Sequence, residues 1–355
     1  MSGAEFPAGL FTSTFRPAWW LRNPHAQTLF STFFRRPPAV PRRRETVDLH
    51  DGDFLDLDWH FPAGWTPRRP AVLAVHGLSG SSDSHYVLGL QAALGARGWA
   101  SAALNCRGAG RPNNLPRAYH AGASDDVRHA LEHMRARFPD APRAVVGYSL
   151  GGNMTLKLMG ELGGERNDDL VFAAAAVSPP LVLALCADRM DLGISVIYRR
   201  HFITELVAHW EEKLAHLERA GHLEAVTRVR ERLLKGPFES FWHFDNELVA
   251  PLHGFDDVHD YYERSSGRQF LPAIRVPTLV IHSSDDPLMS PAVMPGADEL
   301  AAAVRFELCA KGGHVGFIEG GMPWRPAYYL EHRIPDFLEG VLARRAQTTG
   351  TPSAP

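Results

Sequence analysis

The chain has 355 residues, of which 45% are hydrophobic and 22% are charged, a composition that is ordinary for a globular protein. Its 37 basic and 40 acidic residues leave a formal charge of −3, which gives no indication of nucleic acid as a partner. The cysteines Cys106, Cys186 and Cys309 are widely spaced and form no CxxC pair, so we expect a reducing, cytoplasmic location. With no apolar run of about 18 residues and no signal-peptide pattern, we expect neither an integral membrane segment nor secretion.

Residues 1–45 contain many prolines and are predicted to form an irregular N-terminal arm. Disordered segments are poor in aromatic residues, so the aromatic content of this arm indicates that it packs on the domain. Peripheral contact with lipid is the alternative for such an apolar, Arg-flanked segment. We expect His25 and Gln27 to be structural polar residues. The aromatic residues of the arm are Phe11, Phe15, Trp19, Trp20, Phe30, Phe33 and Phe34.

Residues 45–61 alternate between apolar and polar side chains, and residues 50–53 have the composition of a turn, so a β-hairpin at a sheet edge is predicted. From there on, short apolar runs alternate with helical patterns. Apolar runs without alternation are typical of parallel strands that are buried on both faces, which predicts an α/β fold with a mostly parallel central sheet. The predicted strands are 71–75, 99–105, 143–146, 170–177, 278–282 and, as the last, 306–309; the predicted helices include 83–97, 125–138 and 153–162.

The alternation stops at residues 179–270, where helical patterns rich in charged residues dominate. This segment is too long for a loop. We expect a helical cap, or lid, over the carboxyl edge of the sheet, where α/β proteins place their sites. The core would then comprise residues 46–178 and 271–345, and residues 346–355 would form a flexible tail.

The run Gly147-Tyr148-Ser149-Leu150-Gly151 lies between an apolar strand and a helix. This is the Gly-x-Ser-x-Gly pattern of a nucleophile elbow, in which a strained turn presents the serine hydroxyl above the sheet. The pattern alone is short enough to occur by chance, and a surface serine in a Gly-rich turn is the simpler interpretation. Its position between strand and helix favours a nucleophile.

A serine hydroxyl needs a neighbouring imidazole to take its proton, and that imidazole needs a carboxylate to fix its tautomer. In this fold the chain order is Ser, then Asp or Glu, then His, each following a strand. His314 lies in a Gly-rich loop after the strand 306–309, which distinguishes it among the eighteen histidines. Asp285 and Asp286 both follow the strand 278–282. We prefer Asp286, because the proline after it fixes the turn, and we expect Asp285 to cap the next helix.

Two backbone N–H groups should stabilise the oxyanion of the reaction. One belongs to Leu150, the residue after the nucleophile, and we assign the other to Leu78 in the loop after the strand 71–75. His76 is predicted to be structural, because His314 already supplies the base. Cys106 has no dedicated base and is not predicted to be a nucleophile. No nucleotide motif is present, so neither a cofactor nor a metal is expected.

Several runs resemble the YheT-like α/β-hydrolases, a family of bacterial esterases and related eukaryotic abhydrolase-domain lipases. The resemblance spans roughly residues 15–345 and is weakest in the inserted helices after Pro180. It implies a serine hydrolase of carboxylic esters with Ser149, Asp286 and His314 as the matching triad. The matching runs are His76-Gly77-Leu78-Ser79-Gly80-Ser81, Asn105-Cys106-Arg107-Gly108, Gly147-Tyr148-Ser149-Leu150-Gly151-Gly152-Asn153, Leu21-Arg22-Asn23-Pro24-His25-Ala26-Gln27-Thr28, Phe244-Asp245, Gly254-Phe255, Asp260-Tyr261-Tyr262 and Asp285-Asp286-Pro287.

The expected function is therefore hydrolysis of acyl esters, either of short to medium chain length or of acylglycerols and other lipids, through an acyl-enzyme. A non-catalytic α/β-hydrolase scaffold that only binds a ligand is one alternative. A thioesterase or a peptidase would use the same triad and is another. The acyl chain, the alcohol and the oligomeric state are left open by the sequence.

Overall fold

A computed structural model describes residues 9–166 and 169–349, in which nine strands form one sheet and two more form a separate hairpin. The first eight residues of the expected arm and residues 350–355 of the expected tail lie outside the described residues. The strands of the sheet are β1 (Gly9–Thr12), β2 (Arg43–Asp48), β3 (Phe54–His60), β4 (Ala71–Val75), β5 (Ala100–Asn105), β6 (Arg143–Tyr148), β7 (Ala173–Val177), β8 (Thr278–Ser283) and β9 (Val304–Cys309).

The strand order across the sheet is β1-β9-β8-β7-β6-β4-β5-β3-β2. All neighbouring strands are parallel except the pairs β2/β3 and β3/β5, which are antiparallel. The predicted α/β class is therefore confirmed, and the predicted hairpin lies at an edge. Every residue of β4, β5, β6 and β7 is buried, as expected for strands covered on both faces.

The helices that cover the sheet pack through two apolar clusters, one on each face. On one face lie α3 (Ser124–Arg137) and α4 (Leu150–Glu165), and on the other lie α2 (His85–Ala96) and the C-terminal helix α11 (Leu330–Thr349). Helix α11 continues through residues 346–349, which were assigned to the tail. Helix α4 begins directly after Ser149, earlier than the predicted residue 153.

The arm is less irregular than predicted, because it contains β1 and the helix α1 (Pro24–Phe34). The side chain of Asn23 caps this helix by accepting from the N–H of Ala26, and Pro24 occupies its first turn. Both residues favour a helix start, so proline here begins a helix instead of breaking one. Strand β1 extends the sheet by pairing in parallel with β9.

The sequence had suggested that residues 306–309 form the last strand. This prediction is wrong, because a hairpin follows them. It consists of β10 (Ile318–Met322) and β11 (Arg325–Tyr328). Both strands are short, and β10 contains two glycines, so the local β-propensity is weak. The buried amide of Gln27 joins the arm to this hairpin: it donates to the carbonyls of Leu21 and Ile318 at 2.8 and 2.9 Å and accepts from the Ile318 N–H at 2.8 Å. As expected, Gln27 is a structural polar residue.

Between β7 and β8 the chain forms a group of helices with its own apolar cluster. Lys213, in the longest of these helices, is buried and donates to the side chain of Asn113 and the carbonyl of Arg117, which joins this group to the core. The helices are α5 (Leu183–Met190), α6 (Ser195–Arg219), α7 (Leu223–Leu233), α8 (Phe241–Phe244), α9 (Ala250–His253) and α10 (Val258–Ser265).

Candidate active site

Ser149 occupies a sharp turn between β6 and α4 with φ 50° and ψ −119°, a conformation in which non-glycine residues are strained. Its N–H donates to the carbonyl of Val177 at 2.8 Å, at the end of the neighbouring strand. A Cβ on Gly147 would lie 2.2 Å from the carbonyl oxygen of Gly151, and a Cβ on Gly151 would lie 2.4 Å from that of His76. Helix α4 thus crosses the strands too closely for a side chain at either position, and both glycines are required.

The side chains of Ser149, His314 and Asp286 form one continuous line of hydrogen bonds. The Nε2 atom of His314 lies 2.8 Å from Oγ of Ser149, and its Nδ1 atom lies 2.8 Å from Oδ2 of Asp286. Because an ionised carboxylate only accepts, Nδ1 carries the hydrogen and Nε2 accepts from the serine hydroxyl. The structure thus brings the three predicted side chains together in the geometry that activates a nucleophile.

The Asp286 carboxyl is buried, and its second oxygen accepts from the N–H of Leu288 at 2.9 Å. Burial alone would raise its pKa, but the electrostatic interaction and the hydrogen bond with the His314 imidazole outweigh that effect and hold the pKa below its usual range. The carboxylate is therefore ionised at neutral pH, as an orienting partner for an imidazole must be.

The neighbouring Asp285 does not cap the next helical turn, as we had predicted from the sequence. That turn is capped by Ser290. Instead, Oδ1 of Asp285 accepts from the N–H of Gly313 at 3.0 Å, one residue before His314. Residues 310–317, which carry His314 and which we call the histidine loop, pack against the end of β8. Asp285 faces this loop through a contact between distant parts of the chain.

Three further contacts hold the histidine loop in place. The N–H of His314 donates to the Thr28 hydroxyl of α1 at 2.9 Å, and the N–H of Val315 donates to the Ser178 hydroxyl at 3.3 Å. Gly313 adopts φ +59°, and its Cα lies so close to the arm that a Cβ would be 2.4 Å from the carbonyl oxygen of Pro24. The arm thus positions His314, a role that the sequence did not predict.

The oxyanion donors predicted from the sequence, the N–H groups of Leu78 and Leu150, belong to segments that meet at Ser149. Leu150 is the first residue of α4, and both leucines border the same cavity as Ser149. Two tyrosine hydroxyls hold the residues on either side of Leu78. Tyr86 accepts from the N–H of Gly77 at 3.0 Å, and Tyr119 accepts from the N–H of Ser79, at φ +56°, at 2.8 Å.

His76 is structural, in agreement with the sequence analysis. Its Nε2 accepts from the N–H of Cys106 at 3.3 Å, so Nδ1 donates to the carbonyl of Gly77 at 2.7 Å. Burial lowers the pKa of His76 to about 4, which keeps the ring neutral. Burial also raises the pKa of the Cys106 thiol well above its usual value, so this cysteine is a poor nucleophile.

Asn153 is a site-supporting residue whose role the sequence did not reveal. Its amide nitrogen donates to the carbonyls of Ala121 and Ser265 at 3.0 and 2.7 Å, and its oxygen accepts from the N–H of Gly267 at 2.8 Å. All three bonds are buried. They join the helix that follows the serine to the loop before α3, through Ala121, and to the end of the helical insertion, through Ser265 and Gly267.

An interior cavity of about 140 Å³ extends from Ser149 and His314 beneath the inserted helices. The Asp245 carboxyl borders it and accepts from the Tyr262 hydroxyl at 2.7 Å. Burial raises the pKa of Asp245 to about 7, and the bond from Tyr262 opposes this only in part. Apart from Asp245 and a few other polar groups, the cavity offers mainly hydrocarbon contacts, which come from Leu183, Met190, Phe202, Leu206, Trp210, Phe241, Phe244, Val249 and Met289.

Within residues 9–166 and 169–349, no cluster of three or more His, Cys, Asp or Glu side chains could hold a metal ion. None of the helices in these ranges is long and apolar enough to cross a membrane. Nδ1 of His25 lies 3.0 Å from the Tyr198 hydroxyl, joining α1 to α6, as suits a structural role.

A mostly parallel sheet with a serine at the turn after its central strand defines the α/β-hydrolase class. A profile of the α/β-hydrolase fold family matches residues 70–321. The candidate esterase YheT of Escherichia coli is 37% identical over 94% of this chain and 96% of its own. The chain therefore belongs to the YheT-like family of α/β-hydrolases.

More distant relatives include the human phospholipase ABHD3, 26% identical over 93% of this chain and 80% of its own, and the zebrafish (Danio rerio) monoacylglycerol lipase ABHD2, 27% identical over 92% and 79%. Among solved structures, an esterase of Pyrococcus furiosus superimposes with a TM-score of 0.51 at 15% identity, covering 86% of this chain and 98% of its own. At that identity the likeness concerns the fold. The names of the sequence relatives place the chain in a family of esterases and lipases.

Proposed function

We propose that the chain is a serine hydrolase that cleaves carboxylic esters through an acyl-enzyme. The observation that carries this proposal is the unbroken hydrogen-bonded line from Asp286 through His314 to the Ser149 hydroxyl, at the mouth of an apolar cavity. The names of the relatives, which include an esterase, a phospholipase and a lipase, support the same class of reaction.

In this mechanism Ser149 Oγ attacks the ester carbonyl while Nε2 of His314 takes its proton. The charge on the carbonyl oxygen is stabilised by the N–H groups of Leu78 and Leu150, the second of which lies at the positive end of the α4 dipole. The imidazolium returns its proton to the departing alcohol. Water, activated by the same imidazole, then releases the acid. Asp286 stays ionised and stabilises the imidazolium.

We further propose that residues 179–270 act as the cap of this site and that the interior cavity holds the acyl chain. Helix α6 contributes Phe202, Leu206 and Trp210 to the cavity wall. The sequence alone left open whether the apolar face of these helices only anchors them to the core. The position of this apolar face along the cavity supports a role in binding.

An acyl cavity of limited volume predicts a maximum in the dependence on acyl chain length. Each buried methylene contributes roughly 0.8 kcal/mol, or about fourfold in kcat/KM, until the cavity is full. With nitrophenyl esters of two to sixteen carbons, we expect kcat/KM to rise over the first few carbons and then to fall. The oxyanion donors are backbone groups, so EDTA should leave the rate unchanged. A flat profile would contradict the acyl assignment, and loss of activity with EDTA would reveal a metal that the proposed mechanism lacks.

Tyr119 contacts the loop after β4 that contains Leu78, which we call the oxyanion loop. Tyr119→Phe removes the acceptor for the Ser79 N–H and frees the loop that presents Leu78. Because losing an oxyanion donor costs about 10²- to 10³-fold in kcat, loosening one should cost on the order of tenfold, with KM little changed.

Tyr261→Phe is the matched control for this variant. The Tyr261 hydroxyl also borders the cavity and accepts from a backbone N–H, that of Ala121 at 3.0 Å, but it does not contact the oxyanion loop. We expect kcat close to the unmodified enzyme for Tyr261→Phe. Equal losses in both variants would show that the tyrosines act only through general packing of the cavity.

A binding module without catalysis and a hydrolase of thioesters or peptides remain the alternative functions. An oxygen ester, a thioester and an anilide of the same acyl group can be compared to separate the three reactions. The acyl group occupies the same cavity in each case, so differences in rate report on the bond that is cleaved. We propose that the oxygen ester is cleaved with the highest kcat/KM. A cytoplasmic location also stays a proposal, which the three free, buried cysteines support.

A further inference from the structure

A second cavity, which we call the outer groove, also reaches Ser149. It has a volume of about 620 Å³ and runs between the arm helix α1 and the first turns of α6. Ser149, His314 and Leu78 border both cavities. Phe202 and Leu288 also border both cavities, which therefore adjoin at Ser149 and offer a bound ester one space for each side of its carbonyl carbon.

The residues that border only one of the two spaces indicate which side of the ester each can take. The interior cavity is lined by Leu150, the first residue of α4, and by Ala121, which is hydrogen-bonded to Asn153 of the same helix. The outer groove includes Val315 and Thr28, which belong to the histidine loop and to the helix that holds it. In ester cleavage the acyl group stays on the serine, and the alcohol departs next to the imidazole that protonates it. The outer groove is therefore on the alcohol side.

The walls of the outer groove are apolar on both sides, and several of their side chains face solvent. Phe33 of α1 is 70% exposed, and Ile194 and Ile197 at the start of α6 are 59% and 67% exposed. Contiguous exposed apolar side chains are uncommon on a protein surface unless something covers them. The polar side chains of His201 and Glu205 also border the groove, but both are at least partly exposed, and Nε2 of His201 lies 3.4 Å from Oε1 of Glu205. The surface thus suits hydrocarbon better than a charged group.

We propose that the outer groove is the alcohol-side subsite and that it binds a hydrocarbon chain carried by the alcohol of the ester. This inference rests on the proposed ester hydrolysis. It defines a substrate with hydrocarbon on both sides of the carbonyl, the acyl part enclosed in the interior cavity and the alcohol part lying along α1 and α6. Because several side chains of the groove face solvent, a methylene of the alcohol should be buried only in part and should raise kcat/KM by about two- to fourfold.

The test uses acetate esters of linear alcohols with two to ten carbons, below the concentrations at which they aggregate, with acetate release as the readout. The variant is Ile197→Glu, which places a charge on the groove wall at an exposed position and so leaves the fold intact. Leu223→Glu is the matched control, because Leu223 is 75% exposed on α7 and borders neither cavity. The acyl series of nitrophenyl esters is measured on all three proteins.

We expect kcat/KM to rise with alcohol length in the unmodified enzyme and in Leu223→Glu, and the slope to be largely lost in Ile197→Glu. The dependence on acyl length should be the same in all three. An unchanged slope in Ile197→Glu, a rise that occurs only with aggregated esters, or a loss confined to the acyl series would overturn the assignment of the groove. Failure of the folded, unmodified protein to cleave any ester would instead overturn the proposed function itself.

Discussion

Ser149→Ala should abolish ester hydrolysis, with a loss in kcat of about 10⁴-fold or more. The substitution deletes the only atom that can form the acyl-enzyme. The fold should remain intact, because the Ser149 hydroxyl contacts His314 at the mouth of a cavity and alanine meets the same backbone strain as serine. The measurement is kcat with a nitrophenyl ester, accompanied by a thermal melt.

Ser178→Ala is the control for this prediction. Ser178 also has a positive φ, of 47°, at the end of the neighbouring strand β7, but its hydroxyl only accepts from the N–H of Val315. We expect less than a tenfold loss, because a neutral hydrogen bond of this kind contributes about 1 kcal/mol. If folded Ser149→Ala retained most of the activity, the mechanism proposed for this site would be wrong.

Asp286→Asn should lower kcat by a factor on the order of 10⁴. An amide that turns its NH₂ group toward Nδ1 of His314 favours the tautomer with hydrogen on Nε2. That nitrogen then cannot accept the proton of the Ser149 hydroxyl, which lies 2.8 Å away. The readout is kcat at the pH optimum of the unmodified enzyme.

The adjacent Asp285→Asn provides an isosteric comparison one residue away. Asp285 supports the histidine loop through the N–H of Gly313, and an asparagine oxygen can accept the same bond. We therefore expect a loss of less than about tenfold, since only the difference between a charged and a neutral acceptor is removed. Larger damage from Asp285→Asn than from Asp286→Asn would show that the acid of the triad had been assigned one position too late.

The central residues of the site could be predicted from sequence because local patterns and one topological rule define them. Ser149 lies in a strand-turn-helix pattern, and Asp286 and His314 each follow an apolar strand. Parallel strands end at the same edge of a sheet, so residues after different strands come together there. The preference for Asp286 over Asp285 rested on the proline that follows it, a local signal of the same kind.

Other parts of the site depend on contacts that no local pattern records. Asp285 supports Gly313 only because two loops meet, and Tyr119 reaches Ser79 from a loop with no recognisable motif. Strand β1 has four residues and is defined by its pairing with β9. The start of α1 was within reach, since Asn23 and Pro24 are a favourable helix start, but the many prolines of the arm favoured an irregular structure.

The central claim is that Ser149 is a nucleophile, and an active-site label tests it most directly. The folded protein is treated with a fluorophosphonate, which phosphonylates an activated serine, and the modified peptide is identified by mass spectrometry. We predict one modification, on Ser149, which a competing ester slows and which is absent from both Ser149→Ala and the reaction with unfolded protein. A folded protein that remains unlabelled, or that is labelled at another residue while Ser149 is untouched, would contradict the claim.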